Sequence, residues 1–503
     1  VEPRREKGAG MKCTLVPAFL KVLLGLLSVF GMHSQNRRLE AASPRVASAR
    51  VNVLLILADD QRADTIGALG NPHIQTPHLD QLVADGLSFR RMYMQGSGNP
   101  ATCIPSRAML LSSRSLFRLD PTLQSTDTWP AAMGRAGYRT FLTGKWHNDP
   151  GVIARDFQSA RDVFLGGMSD PMRAPLRQLL GGRLSEPEPA GRHCCERFAD
   201  AAIDFLKQAP TDQPFFCYLP FAAPHDPHIV PEDFPVRYPA DARMLPDNFQ
   251  PIHPWDNGEM TIRDEKLLPW PRTPKAVQEM NAEYWRYVSY LDHQVGRVLE
   301  ALQQSAHAEN TLVIFTADSG VARGSHGLIG KQNCYEHSLR VPCIVAGPGI
   351  PKGTTTDALC YLYDLLPTVG ALCDVSPPEG SEGLAIDRVM RSPISTDSYT
   401  IDRSALDPAS QGRTALVFGY REDQRAWCDR RWKLIRYPKI DVTQLFDLQE
   451  DPLEQRDLSG LPEHQPLLVE LRKRMAKELA ELGDRVTLDG PVNRPAKWVP
   501  PAR

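Results

Sequence analysis

Val51-Asn52-Val53-Leu54-Leu55-Ile56-Leu57-Ala58-Asp59-Asp60 is the stretch on which the fold class turns. A continuous aliphatic and β-branched run of this length, without polar alternation, reads as a strand covered on both faces. That is the pattern of a parallel sheet flanked by helices. In open α/β sheets the working site lies beyond the carboxyl ends of the strands, which is where Asp59 and Asp60 fall. Hard carboxylate oxygens suit Ca2+, or Mg2+, better than zinc. Taken alone, an acidic pair after a strand is more often a helix cap or a turn than a metal site, so the rest of the chain must supply the reason for a cation.

Outward from that run the same grammar recurs. Residues 87–89, 138–143, 214–221, 311–317 and 343–346 read as further strands, and residues 76–86, 129–137, 198–208, 276–304 and 364–372 as helices. The apolar stripe of the long helix, with Tyr287, Tyr290, Leu291, Val295, Val298, Leu299 and Leu302, is core. Residues 150–193 read as a long, partly irregular insertion that shapes a substrate pocket. The proline-rich residues 229–273 read as loop packed over the site. After the break at Ser376-Pro377-Pro378-Glu379-Gly380 the grammar changes to short strands joined by turns, such as Ala415-Leu416-Val417-Phe418-Gly419, followed by a helix over 466–482. The expected architecture is therefore a larger domain over 51–375 and a smaller α+β subdomain with a short antiparallel sheet over 376–503.

A chain of 503 residues is too long for one compact unit. A net charge of −2 and a pI near 6.7 provide no overall attraction for nucleic acid or acidic membranes. An anionic substrate must then be met by a local group of cations. Residues 12–31 carry basic residues upstream of an apolar middle, as a secretory signal does, so residues 1–34 read as a signal peptide with an upstream extension and 35–50 as a linker. Lys21 interrupts the apolar run and leaves it short of the roughly 20 residues that span a bilayer. The expectation is an exported protein, periplasmic or secreted, without stable membrane insertion once the signal is cleaved. Ten cysteines in so long a chain do not make a disulfide scaffold, and most sit in apolar contexts as small core residues. Adjacent Cys194 and Cys195 are the least predictable of them.

One further stretch carries chemistry: Thr102-Cys103-Ile104-Pro105-Ser106-Arg107-Ala108-Met109-Leu110-Leu111. Pro105 suits the first turn of a helix and the residues after it are helix formers, which places Cys103 just before the helix, facing its unpaired N–H groups. Arg107, four residues on, projects to the same side and can hold a tetraoxo anion.

Cys103, Pro105, Ser106, Arg107 and Leu111 together resemble the signature of the formylglycine-dependent sulfatases, arylsulfatase-like members of the alkaline phosphatase superfamily. Five further motifs resemble that family in the same order: Asp59-Asp60, Gly144-Lys145-Trp146-His147, Pro224-His225-Asp226-Pro227, His326-Gly327-Leu328-Ile329-Gly330-Lys331 and Leu445-Phe446-Asp447-Leu448. The resemblance implies an alkaline-phosphatase-like mixed, mostly parallel sheet. It implies that a sulfatase-maturing, formylglycine-generating enzyme oxidises Cys103 to an aldehyde whose hydrate is the nucleophile. It assigns Asp59, Asp60, residue 103, Asp318 and Ser319 to the metal, and Arg107, Lys145 and Lys331 to the sulfate. His225, with Lys331, is implied to protonate the leaving oxygen, and His147 to release the sulfate; these two roles could be exchanged. Ser319 departs from the family's Asp-Asn or Asp-His, which puts its place among the ligands in doubt. The substrate expected is a sulfated small molecule or glycan. Two rivals are a phosphodiesterase or phosphonate monoester hydrolase of the same fold, and a secreted binding protein that has lost turnover.

Overall fold

The computed structural model describes residues 50–391 and 412–501; the expected signal segment, Cys13 and residues 35–49 of the expected linker lie outside them. The run that opened the sequence is the strand Asn52–Ala58, buried along its whole length. It sits in the middle of an eleven-stranded sheet. On one side it pairs in parallel with Phe215–Pro220, then Arg139–Lys145, then Ser159–Phe164. On the other it pairs in parallel with Thr311–Ala317, beyond which Arg340–Ala346 runs antiparallel and leads to Gly86–Tyr93. The sheet is mixed and mostly parallel, as the uninterrupted apolar runs require.

Helices cover both faces, and several start earlier than periodicity suggests. Cys194–Gln208 begins a turn before the expected residue 198, with His193 Nδ1 accepting the N–H of Cys195 at 3.2 Å as its cap. The long helix is Pro274–Gln303, capped by Thr273. Cys103–Ser112 contains Cys103 as its first residue rather than starting after it. The 150–193 insertion is more ordered than its composition indicates. It contributes the helix Gly151–Asp156, the sheet strand Ser159–Phe164 and two short strands, Pro175–Arg177 and Glu188–Pro189, that extend the sheet's edge.

The antiparallel sheet consists of Leu416–Tyr420, Gln424–Cys428, Trp432–Tyr437 and Val442–Asp447. The helix Gln465–Glu481 lays Leu468, Leu471, Met475 and Leu479 on Val417, Trp427, Leu434 and Leu445. Its fifth strand comes from far upstream: Gly96–Ser97 pairs in parallel with Gly419–Tyr420. Gly96 has φ +118°, and a Cβ there would lie 1.9 Å from the Gly419 carbonyl oxygen, so only glycine permits the approach. All nine described cysteines are buried and free. Among the described residues no helix is long and apolar enough to cross a membrane.

Candidate active site

Five elements bring the site together at the carboxyl edge of the sheet. The strand Asn52–Ala58 delivers Asp59 and Asp60, and its neighbour Thr311–Ala317 delivers Asp318 and Ser319. Backbone bonds lock the two ends: Asp318 N–H to the Ala58 carbonyl at 3.1 Å and Asp59 N–H to the Ala223 carbonyl at 3.0 Å. Asp60 then adopts φ 63°, a left-handed conformation that aspartate tolerates. Its N–H donates to Asp318 Oδ1 at 3.1 Å and its carbonyl accepts the Tyr284 hydroxyl at 2.8 Å.

Cys103, 1% exposed, faces this edge from the first turn of its helix. Its Sγ lies 3.2 Å from Asp59 Oδ1 and 3.0 Å from Lys331 Nζ. The ligand atoms of Asp59, Asp60, Cys103 and Asp318 all lie within 4.8 Å of one another. Three cations answer the three carboxylates. Lys331 Nζ contacts Asp60 Oδ1 and Oδ2 at 2.5 and 2.7 Å, and Lys145 Nζ pairs with Asp59. Arg107, fully buried, donates through Nε to Asp318 Oδ2 at 2.9 Å, through Nη1 to the Lys145 carbonyl at 2.5 Å, and lies 3.3 Å from Asp59 Oδ2. Arg107 therefore grips the carboxylates from within the core, on the side that Cys103 faces. The Ser319 hydroxyl donates to Asp60 Oδ1 at 2.8 Å and so braces a carboxylate.

Both histidines are present, on different loops. His225 follows the strand Phe215–Pro220; its Nδ1 donates to the Asp226 carbonyl at 2.8 Å and its Nε2 lies 3.6 Å from Asp60 Oδ2. His147 follows Arg139–Lys145, but the strand ends at Lys145 and His147 takes φ 61°. His147 thus lies past the end of the strand, where alternation no longer sets its direction. Its Nδ1 is buried without a hydrogen-bond partner.

The electrostatics follow from burial and neighbours. Burial alone would raise the Asp59 carboxyl, but Lys145 and Arg107 hold it well below the usual range. Asp318 is pushed up to about 6 by burial and by Asp59. Burial and the Asp318 and Asp59 charges push the Cys103 thiol well above its ordinary value, so it is protonated and a poor nucleophile as it stands. Burial, with Lys145 and Arg107 nearby, lowers His147 to about 3, leaving a neutral imidazole. Oxygen-rich, buried and carrying three acidic groups, the donor set fits a hard divalent cation.

Two supporting groups escaped the sequence reading, Tyr284 and Gly167, as did the bond from His225 to the Asp226 carbonyl. Tyr284 lies on a helix read only as core. Gly167, whose carbonyl accepts from Lys145 Nζ at 2.5 Å, follows a buried strand in a Gly-Gly pair. That pair was the available signal for a close backbone approach.

The Sulfatase family profile matches residues 51–375. The chain is 27% identical over 486 residues to an ulvan-active sulfatase of Formosa agariphila, covering 92% of this chain and 87% of that protein. Its fold matches that of a protein solved with its substrate D-glucosamine-2-N,6-O-disulfate, with TM-score 0.68, 20% identity, and coverage of 86% of this chain and 98% of the other. It also matches the phosphonate monoester hydrolase of Agrobacterium radiobacter, with TM-score 0.65, 21% identity, and coverage of 88% and 100%. With the profile match spanning the segments that carry Asp59, Cys103, Lys145, His225, Asp318 and Lys331, the chain belongs to the formylglycine-dependent, arylsulfatase-like sulfatases, a family of sulfuric ester hydrolases.

Proposed function

We propose that the enzyme cleaves sulfate monoesters carried by a carbohydrate, with Cys103 oxidised to formylglycine and one Ca2+, or Mg2+, held by Asp59, Asp60, Asp318 and residue 103. The observation that carries this reading is the convergence of Cys103 with three buried carboxylates and three buried cations at one sheet edge. The carbohydrate is supported by the names of the ulvan-active relative and of the disulfate-bound neighbour. Export, a maturing enzyme as partner, and the division into a catalytic domain over 51–375 and a subdomain over 376–503 belong to the same proposal.

When bound, the cation would supply positive charge for the sulfate oxygens and acidify the nucleophilic hydroxyl of residue 103. The chain's own groups do the rest. Lys145 and Lys331, held beside Cys103 by Asp59 and Asp60, present N–H donors to the equatorial oxygens, where charge develops during transfer. Arg107 fixes Asp318 and the Lys145 backbone, so both stay in register with the nucleophile. His225, its Nδ1 committed to a carbonyl, offers Nε2 to protonate the leaving oxygen. His147, neutral and with a free Nδ1, accepts the proton whose removal releases sulfate.

Peptide mass spectrometry of protein from its native host, paired with hydrolysis of sulfated disaccharides, tests the reading. We expect an aldehyde at position 103 and loss of turnover in Cys103→Ala. An intact thiol throughout in active material would overturn it. The phosphonate hydrolase alternative draws on the shared fold, and comparing rates on an aryl sulfate and an aryl phosphonate monoester decides it; faster phosphonate turnover would favour that alternative.

A further inference from the structure

The strand Ser159–Phe164 is followed by Leu165-Gly166-Gly167-Met168-Ser169, a segment no motif accounts for. Its backbone touches both groups delivered by the neighbouring strand. The Gly167 carbonyl accepts from Lys145 Nζ at 2.5 Å. A Cβ on Gly167 would lie 2.8 Å from Nε2 and 2.9 Å from Cε1 of His147, so the main chain lies against the edge of that imidazole. The next residue, Met168, is 48% exposed. It lines a small cavity together with Gly167, His225, Asp226 and Pro227.

Met168 therefore sits on a segment that meets both imidazoles, through Gly167 against His147 and through the cavity shared with His225. One neighbour along the chain is pinned to His147 and Lys145, and across the cavity stands the loop of His225. A half-exposed thioether has no polar demand of its own and is an adaptable surface for an apolar partner. We infer that Met168 forms the wall of the leaving-group subsite, that Gly167 is the positioning residue that holds this wall against His147 and Lys145, and that the subsite takes a leaving group with an apolar face. An aromatic ring or the carbon face of a sugar satisfies that chemistry. The inference rests on the proposed role of His225 beside the leaving oxygen.

The test is calorimetric binding to the full chain carrying Cys103→Ala, with calcium, so that no turnover is needed. The two probes are 4-nitrophenyl sulfate, which has an apolar leaving group, and inorganic sulfate, which has none. We expect the ester to bind more tightly, and adding Met168→Ala to weaken the ester by about fivefold to tenfold while leaving inorganic sulfate within about twofold. Equal weakening of both probes, no weakening of either, or an ester that binds no better than sulfate would overturn the subsite while leaving the sulfatase reading intact. Binding of neither probe to the parent would overturn the anion site and the subsite with it. Met168→Leu keeps the apolar wall and should restore ester binding; failure to do so would also count against the inference.

Discussion

At the carboxyl edge of the main sheet three carboxylates face Arg107, Lys145 and Lys331; under the antiparallel sheet Lys433 stands between Glu336 and Glu454, at 2.9 and 2.8 Å. Both clusters are buried, and both join segments far apart in the chain. They differ in what the charged groups touch. In the second cluster Glu336 also accepts the Tyr93 hydroxyl at 3.0 Å, and Glu454 accepts the Glu336 N–H at 2.7 Å. In the first, the balanced charges surround a thiol and an imidazole whose Nδ1 has no partner. Buried charge by itself thus marks architecture. Buried charge in direct contact with a thiol, here at 3.0 and 3.2 Å, marks the candidate reaction centre.

Substitutions can break this contrast from either side. Asp318→Asn removes a proposed ligand while keeping its shape. Aryl sulfate turnover of the folded fraction should fall by about 10³-fold. A retained rate would remove Asp318 from the metal. Gly167→Ala pushes a methyl into the His147 ring and should lower kcat by about tenfold to a hundredfold with KM steady; a rise in KM alone would assign it to binding instead. Lys433→Met leaves Glu454 without its cation and Glu336 with Arg340 alone at 3.5 Å, and denaturant unfolding should show a loss of about 3–5 kcal/mol with kcat of the folded fraction preserved.

The smallest effect sharpens the comparison through pH. Burial and the Glu336 charge, against the pull of Lys433, raise Glu454 to about 7 from 4.5. A carboxyl raised in the folded state stabilises most when protonated, so its contribution is full below about pH 4.5 and is lost as pH climbs through 7. Glu454→Gln should flatten that decline, by about 2 kcal/mol between pH 5 and 8. An unchanged slope would show that Glu454 stays ionised throughout.

Part of the site was readable because Asp59, Lys145, His225 and Asp318 each end or follow a continuous apolar run. The runs before Asp59, Lys145, His225 and Asp318 announce buried parallel strands, and parallel strands bring their ends to one edge. Partnerships were not readable in the same way. Nothing local shows that Arg107 turns inward to Asp318, that Tyr284 reaches the Asp60 carbonyl, or that Gly167 abuts His147. Each depends on packing between segments from 20 to 224 residues apart. The left-handed turn at His147 likewise has no signal in Lys145-Trp146-His147, because alternation holds only while the strand lasts.

The pairing of Gly96–Ser97 with Gly419–Tyr420 adds a matter of timing. Cys103 lies six residues past that short strand, and its side chain is sealed from solvent in the finished fold. During synthesis the ribosome adds more than three hundred residues between the two halves of the pair. On the proposed maturation, that interval is when a modifying enzyme would find the peptide around position 103 open, before the last-made sheet closes beside it.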